Sequence, residues 1–171
     1  MSRPASDPTY DQTRVSVLVE VPPELAFQIF TEDIDLWWRR GLAYRVASDR
    51  NGTLHLEPHV GGRLFESFQK GGDTALHETG RVTVWSPPRR LAFEWRAINF
   101  EPGDTTEVEV DFEPTPSGTR VTVTHRGWSR IRANHPVRHR LEPDAFIRSM
   151  ALWWGNLMTS LRERALARRG A

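Results

Sequence analysis

The chain has 171 residues and no cysteine. That excludes disulfides, thiolate metal sites and a cysteine nucleophile. It suits a reducing compartment, so a cytoplasmic location is expected. Lysine is nearly missing too: Lys70 is the only one, and arginine makes up the rest of the basic side. A formal net charge of +1 gives no global drive toward nucleic acid or an anionic membrane. No apolar run is long enough to span a bilayer, so no membrane insertion is expected. The first twelve residues are polar, which argues against a leader, and residues 1–13 read as a disordered tail. Phosphate-binding glycine loops, nucleophile elbows and zinc-protease motifs are all missing. This weighs against mainstream catalysis, and no cofactor or metal is expected.

What the chain does have is alternation. Residues 14–168 are expected to form one domain, large enough to bury about 70% of its unfolded surface. The most informative stretch is residues 80–96, where two alternating arms flank Pro87-Pro88. Val82 and Val84 are read onto one face, as are Leu91, Phe93 and Trp95 on the second arm. Neither proline has an N–H to give a ladder, so they must fall in the connection between the two strands. Val15, Val17, Val19 and Val21 mark a first strand. Pro22-Pro23-Glu24 then opens a short helix carrying Ala26, Ile29 and Phe30, with a loop or second short helix over residues 31–40. Asn51-Gly52 is a hairpin signal, expected to join strands near 43–48 and 53–58. Gly61-Gly62 and Gly71-Gly72-Asp73 mark further turns around a strand at 63–69, with the next strand starting near Glu78. Strands follow at 107–113 and 120–126. Residues 143–168 form a long helix of roughly 40 Å with Phe146, Met150, Trp153, Leu157, Leu161 and Ala165 on one stripe. The expected architecture is α+β: a curved antiparallel sheet of six to seven strands wrapped around a long C-terminal helix, with one or two short helices after strand 1. Such a sheet leaves space against the helix, and that space is the expected site.

Several segments resemble the START-like (SRPBCC) superfamily and its helix-grip fold. Within it, they are most similar to the family named after the activator of the heat-shock-protein ATPase, in its C-terminal-domain-like form. The segments are Val21-Pro22-Pro23-Glu24-Leu25-Ala26-Phe27, Pro58-His59-Val60-Gly61-Gly62-Arg63-Leu64, Gly80-Arg81-Val82 through Pro87-Pro88 to Trp95, and Gly118-Thr119-Arg120-Val121-Thr122-Val123-Thr124-His125. Each is only a turn plus a strand; their order and spacing carry the resemblance, over roughly residues 14–167. Two features depart from the family pattern. Trp153 and Trp154 precede Gly155, where the family often has Gly-Trp, and residues 126–142 form an unusually basic connection. The resemblance implies a pocket for a small hydrophobic or amphipathic molecule. It also leaves open a polyketide cyclase or dehydratase and a co-chaperone-like protein-interaction module.

The candidate cavity residues are Trp37, Trp38, Glu66, Phe93, Trp95, His125, Met150, Trp153, Trp154 and Leu157. Tryptophan combines a large apolar body with one N–H, which suits a pocket as well as a packed core. The superfamily often places its pocket mouth near Trp37 and Trp38. His125 shares a face with Val121 and Val123, and Glu66 alternates with Leu64 and Phe68. An enzyme reading needs such an inward polar pair; otherwise His125 is a satisfied core histidine. His55 and His59 are too far apart along a strand, roughly 13 Å, to share a zinc. His135 precedes Pro136, which biases the His135/His139 pair away from the helix that metal binding would need. Arg126, Arg130, Arg132, Arg138 and Arg140 form a basic segment without an intervening acid. That patch could meet an anionic group or an acidic protein, or be solvated loop. Trp128 is its only aromatic residue, which makes a nucleic-acid reading thin.

Overall fold

A computed structural model describes residues 10–47 and 52–170. Seven strands form one antiparallel sheet: β1 (Thr13–Val19), β2 (Thr53–Leu56), β3 (Arg63–Lys70), β4 (Asp73–Ser86), β5 (Arg90–Trp95), β6 (Thr106–Thr115) and β7 (Gly118–Arg126). Their order is β1-β7-β6-β5-β4-β3-β2. The sheet curls into a half-barrel. Two short helices, α1 (Pro23–Glu32) and α2 (Ile34–Trp37), follow β1, and the long helix α3 (Pro143–Arg169) closes the chain. This is the helix-grip arrangement expected from the sequence. No described helix is long and apolar enough to cross a membrane.

The concave face of the sheet and α3 share one core. Phe93, Val108, Val110, Phe112, Val121 and Val123 meet Phe146, Trp154, Leu157 and Leu161. Each such side chain, once fully buried, contributes about 1.5–3 kcal/mol. α1 starts at Pro23, a position where a missing N–H costs nothing. It lays Phe27 against Trp85 and Phe112, with ring centroids 5.2 and 5.1 Å away.

Four local expectations need correction. The hairpin read around Asn51-Gly52 falls partly on residues 48–51, outside the described residues. Residues 41–47 form turns and bends, not a strand. They are held instead by buried Arg45, whose guanidinium donates to the backbone carbonyls of Asp35 (2.9 Å), Trp38 (2.6 Å) and Arg39 (3.2 Å). A bulge between Val82 and Val84 breaks the alternation of β4. Trp85 therefore stands opposite core residue Leu91, while Val84 stands opposite Ala92 on the other face. On α3, Trp154 is fully buried and Trp153 only half-buried, the reverse of the expected stripe. Finally, β4 starts at Asp73, not near Glu78. Gly71 and Gly72 (φ 60° and 88°) make a tight two-residue turn that pairs Lys70 directly with Asp73. Of the expected tail, residues 1–9 lie outside the described residues. Asp11 is anchored: its carboxylate accepts from the Ser129 and Gly127 N–H groups, and its carbonyl from Trp128 N–H at 3.0 Å.

Gly80 has a specific reason to be glycine. β4 pairs with β3 along its first half and with β5 along its second. At the crossover the backbones nearly touch, and a Cβ on Gly80 would sit 1.6 Å from the Glu94 carbonyl oxygen. β5 ends one residue later, at Trp95, and residues 95–99 line the cavity described next.

Candidate functional site

A cavity of about 410 Å³ lies between the β3–β4 end of the sheet, residues 42–46, residues 96–99, residues 136–139 and α3. That volume falls within the range of small-molecule pockets. Leu54, Leu64, Trp38, Trp95 and Trp153 provide apolar walls. Leu42 (81% exposed) and Ile98 (68% exposed) line it from two facing loops and mark the rim.

The sheet side carries a cluster of polar groups, Glu66, His77 and Thr79, and the loops add Arg45, Arg96, Asn99 and His139. Glu66 is buried, and its Oε2 accepts the Val46 N–H at 2.8 Å. Its Oε1 is 3.5 Å from the Ala47 nitrogen, a weak contact. His77 stands directly opposite Glu66 in the β3–β4 register and also lines the cavity. Burial lowers the His77 pKa below its ordinary value, and the Glu66 charge partly offsets this. Thr79 is the extra residue at the bulge where β3 shifts register between Leu64 and Phe65. Among the described residues, the His77 ring and the Thr79 hydroxyl make no hydrogen bond. The register was legible: a two-residue Gly71-Gly72 turn sets Glu66 opposite His77. The sequence reading missed His77 because it placed the start of β4 too late.

The expected cavity residues divide into two groups. Trp38, Glu66, Trp95 and Trp153 line the cavity. Trp37, Phe93, His125, Met150, Trp154 and Leu157 lie in the packed core outside its lining. Trp37 does not flank the entrance: it is buried against Phe30 (4.9 Å) and donates its indole N–H to the Phe30 carbonyl at 3.2 Å. Trp38 is wall rather than rim. Its N–H goes to the Tyr44 carbonyl (3.2 Å), and the Trp153 N–H goes to the Ala43 carbonyl (2.7 Å). The Trp153 ring stacks on Tyr44 at 5.6 Å. Both indole N–H groups are thus spent on holding the loop at 42–46.

His125 is a fully buried core histidine. Thr106 donates its hydroxyl proton to the Trp95 carbonyl at 2.8 Å, so its oxygen accepts from His125 Nε2–H at 2.7 Å. The Trp154 indole N–H donates to His125 Nδ1 at 3.1 Å. This network assigns the neutral Nε2–H tautomer. Burial drives the pKa down to about 3. The Trp95 ring packs on His125 at 5.3 Å and faces the cavity itself, so the expected Glu66–His125 pair is not assembled in the cavity. An enzyme reading loses the pair it was built on.

The basic segment is largely engaged. Arg126 bridges Glu107 (3.1 Å) and Glu109, and Arg132 meets Glu101 at 3.3 Å. Arg138 is buried: it donates to the carbonyls of Trp128 and Ile131, both at 2.7 Å, and covers the Phe146 ring. His139 lines the cavity, whereas His135 is buried beside Phe100. His55 bonds the Ser67 hydroxyl at 2.9 Å.

The sequence pattern of the activator of Hsp90 ATPase homolog 1-like proteins matches residues 20–163. The chain belongs to this family. The matched stretch contains every residue of the cavity lining, from Trp38 to Trp153. Solved structures repeat the fold of this family member at low identity. A protein of unknown function from Staphylococcus aureus superposes with a TM-score of 0.66 at 14% identity, covering 94% of this chain and 96% of its own. A protein from Nitrosomonas europaea gives 0.61 at 16% identity, covering 95% and 98%. The Aha1 dimer from Colwellia psychrerythraea gives 0.58 at 18%, covering 89% and 93%. At such identities the likeness speaks for the fold alone. No curated protein gives a significant sequence match.

Proposed function

We propose that this family member binds a small hydrophobic or amphipathic molecule in the cavity between the sheet and α3. The observation that carries this is a cavity of about 410 Å³ walled by Trp38, Trp95, Trp153, Leu54 and Leu64 and open at a rim of Leu42 and Ile98. Apolar walls gain free energy when a ligand displaces water from them, at about 25 cal/mol per Å². Two exposed aliphatic side chains at the rim are what an entering apolar body would meet first.

The test uses the intrinsic tryptophans. The uncharged dye N-phenyl-1-naphthylamine is titrated into the protein while tryptophan emission is followed. Saturable quenching at one dye per chain is expected, because three of the indoles line the cavity. Ala97→Trp, which fills the cavity from its wall, should abolish it. Linear, non-saturating quenching, or equal binding to the filled variant, would dismiss the reading.

A further inference from the structure

The polar end of the cavity holds an imbalance. Glu66 is a buried carboxylate, 3% exposed, and no cation pairs with it among the described residues. Arg45, which also lines the cavity, is committed to Asp35 Oδ1 at 2.5 Å and to three carbonyls. A carboxylate offers about four lone-pair directions. One Glu66 oxygen takes the Val46 N–H at 2.8 Å and the other only the long 3.5 Å contact from Ala47. Acceptor capacity is left over on a group whose desolvation is costly unless it is met by donors. His77 and Thr79 sit beside it with side chains that make no hydrogen bond among the described residues.

We infer that the cavity selects an uncharged ligand: an apolar, ring-sized body carrying a hydroxyl that donates to Glu66, with His77 and Thr79 completing its hydrogen bonds. This rests on the binding reading above and adds the chemistry of the ligand's polar atom. The charges lining the cavity disfavour both ionic classes. An anionic head group at the floor meets the repulsion of the Glu66 carboxylate, while Arg96, which also lines the cavity, donates to the Glu101 carbonyl at 3.2 Å and not to Glu66. A cationic ligand must share the space with Arg96 and Arg45, both of which line it. A neutral donor meets neither obstacle, and a hydrogen bond to a charged acceptor is among the stronger kinds. Its hydroxyl oxygen can in turn accept from the His77 ring or the Thr79 hydroxyl, so the polar atom is satisfied from both sides.

The experiment compares four naphthalene probes of similar bulk: 2-naphthol, 2-methoxynaphthalene, 2-naphthoate and the protonated 2-(aminomethyl)naphthalene. Affinities are read by tryptophan quenching at pH 7. The hydroxyl compound is expected to bind about tenfold tighter than its methyl ether, and tighter than either ion. In Glu66→Gln the tenfold preference should shrink to about threefold or less while the ether's affinity holds. The amide signals of Val46 and Ala47 should shift with 2-naphthol and not with the ether, which tests the wild-type protein without any variant. Equal affinities for the alcohol and the ether, or tightest binding of either ion, overturns the inference while the cavity still binds. Failure of all four probes overturns the binding reading itself.

Discussion

Glu66 and His77 face each other across the β3–β4 pair, an acid and a base on the sheet wall of the cavity. Their proximity makes a titration prediction. Burial lowers the His77 pKa and the Glu66 charge works against that shift. Removing the charge in Glu66→Gln should therefore push the His77 pKa further down. Imidazole chemical shifts followed against pH in both proteins check this; an unchanged or higher value in the variant would show that the two groups do not interact.

His125 predicts acid sensitivity. Its folded pKa is about 3 while the unfolded chain titrates near the ordinary 6.5. Above pH 6.5 neither state holds the proton. Below it the unfolded state gains a proton that the folded state refuses, so stability falls as pH falls, until about pH 3. Between pH 7 and pH 5 this one site should cost about 2 kcal/mol. The physical obstacle is local: an added Nδ1–H would point at the Trp154 indole N–H. Urea unfolding at both pH values should show the loss in the natural protein and a smaller one in His125→Gln, whatever its stability at pH 7.

Arg45 predicts a stability loss larger than that of a surface ion pair. It ties Asp35, Trp38 and Arg39 into one ring of contacts, and Asp35 in turn accepts the Leu54 N–H at 2.8 Å. Arg45→Met takes the buried guanidinium from the Asp35 carboxylate, which keeps only Arg40 at 3.4 Å and the Leu54 N–H, and removes the donor from three carbonyls. About 3 kcal/mol should be lost, or about 10 °C in Tm for a chain of this size. Thermal melts by circular dichroism would show it, and a drop under 2 °C would mean the ring is not structural.

Two glycines should respond in opposite directions. Gly80→Ala drives a Cβ into the Glu94 carbonyl and should cost at least about 2 kcal/mol. Gly155 lies inside α3 with nothing within 4 Å of an added Cβ. Gly155→Ala should stabilise by about 0.5–1 kcal/mol through helix propensity. Chemical denaturation of the two variants side by side tests both signs.

Much of the frame could be read from local pattern. Alternation in β1, β6 and β7, the prolines opening α1 and α3, and the Pro87-Pro88 connection all act over a few residues, where one strong steric or hydrophobic preference prevails. Residues 41–47 resisted because Arg45, nominally a surface residue type, holds them through carbonyls contributed by residues 35–39. Trp153 and Trp154 resisted for a different reason. Adjacent positions on a helix of 3.6 residues per turn both border the same stripe, so only the neighbours decide which ring goes inside. Tyr44 and Trp38 drew Trp153 to the cavity, and His125 drew Trp154 into the core.

The order of strands and helices, and even the pairing of Glu66 with His77 through a two-glycine turn, follow from short-range rules: residue period, turn length and the missing N–H of proline. Which polar groups remain available to a ligand does not. The partners of His125, Arg138 and the Trp38 and Trp153 indoles cannot be named from one dimension, and each is consumed by a partner distant in sequence or by a backbone carbonyl. Hydrogen-bonding capacity is settled only when every donor has been matched to an acceptor in space. After that matching, Glu66, His77 and Thr79 are the floor groups with capacity to spare.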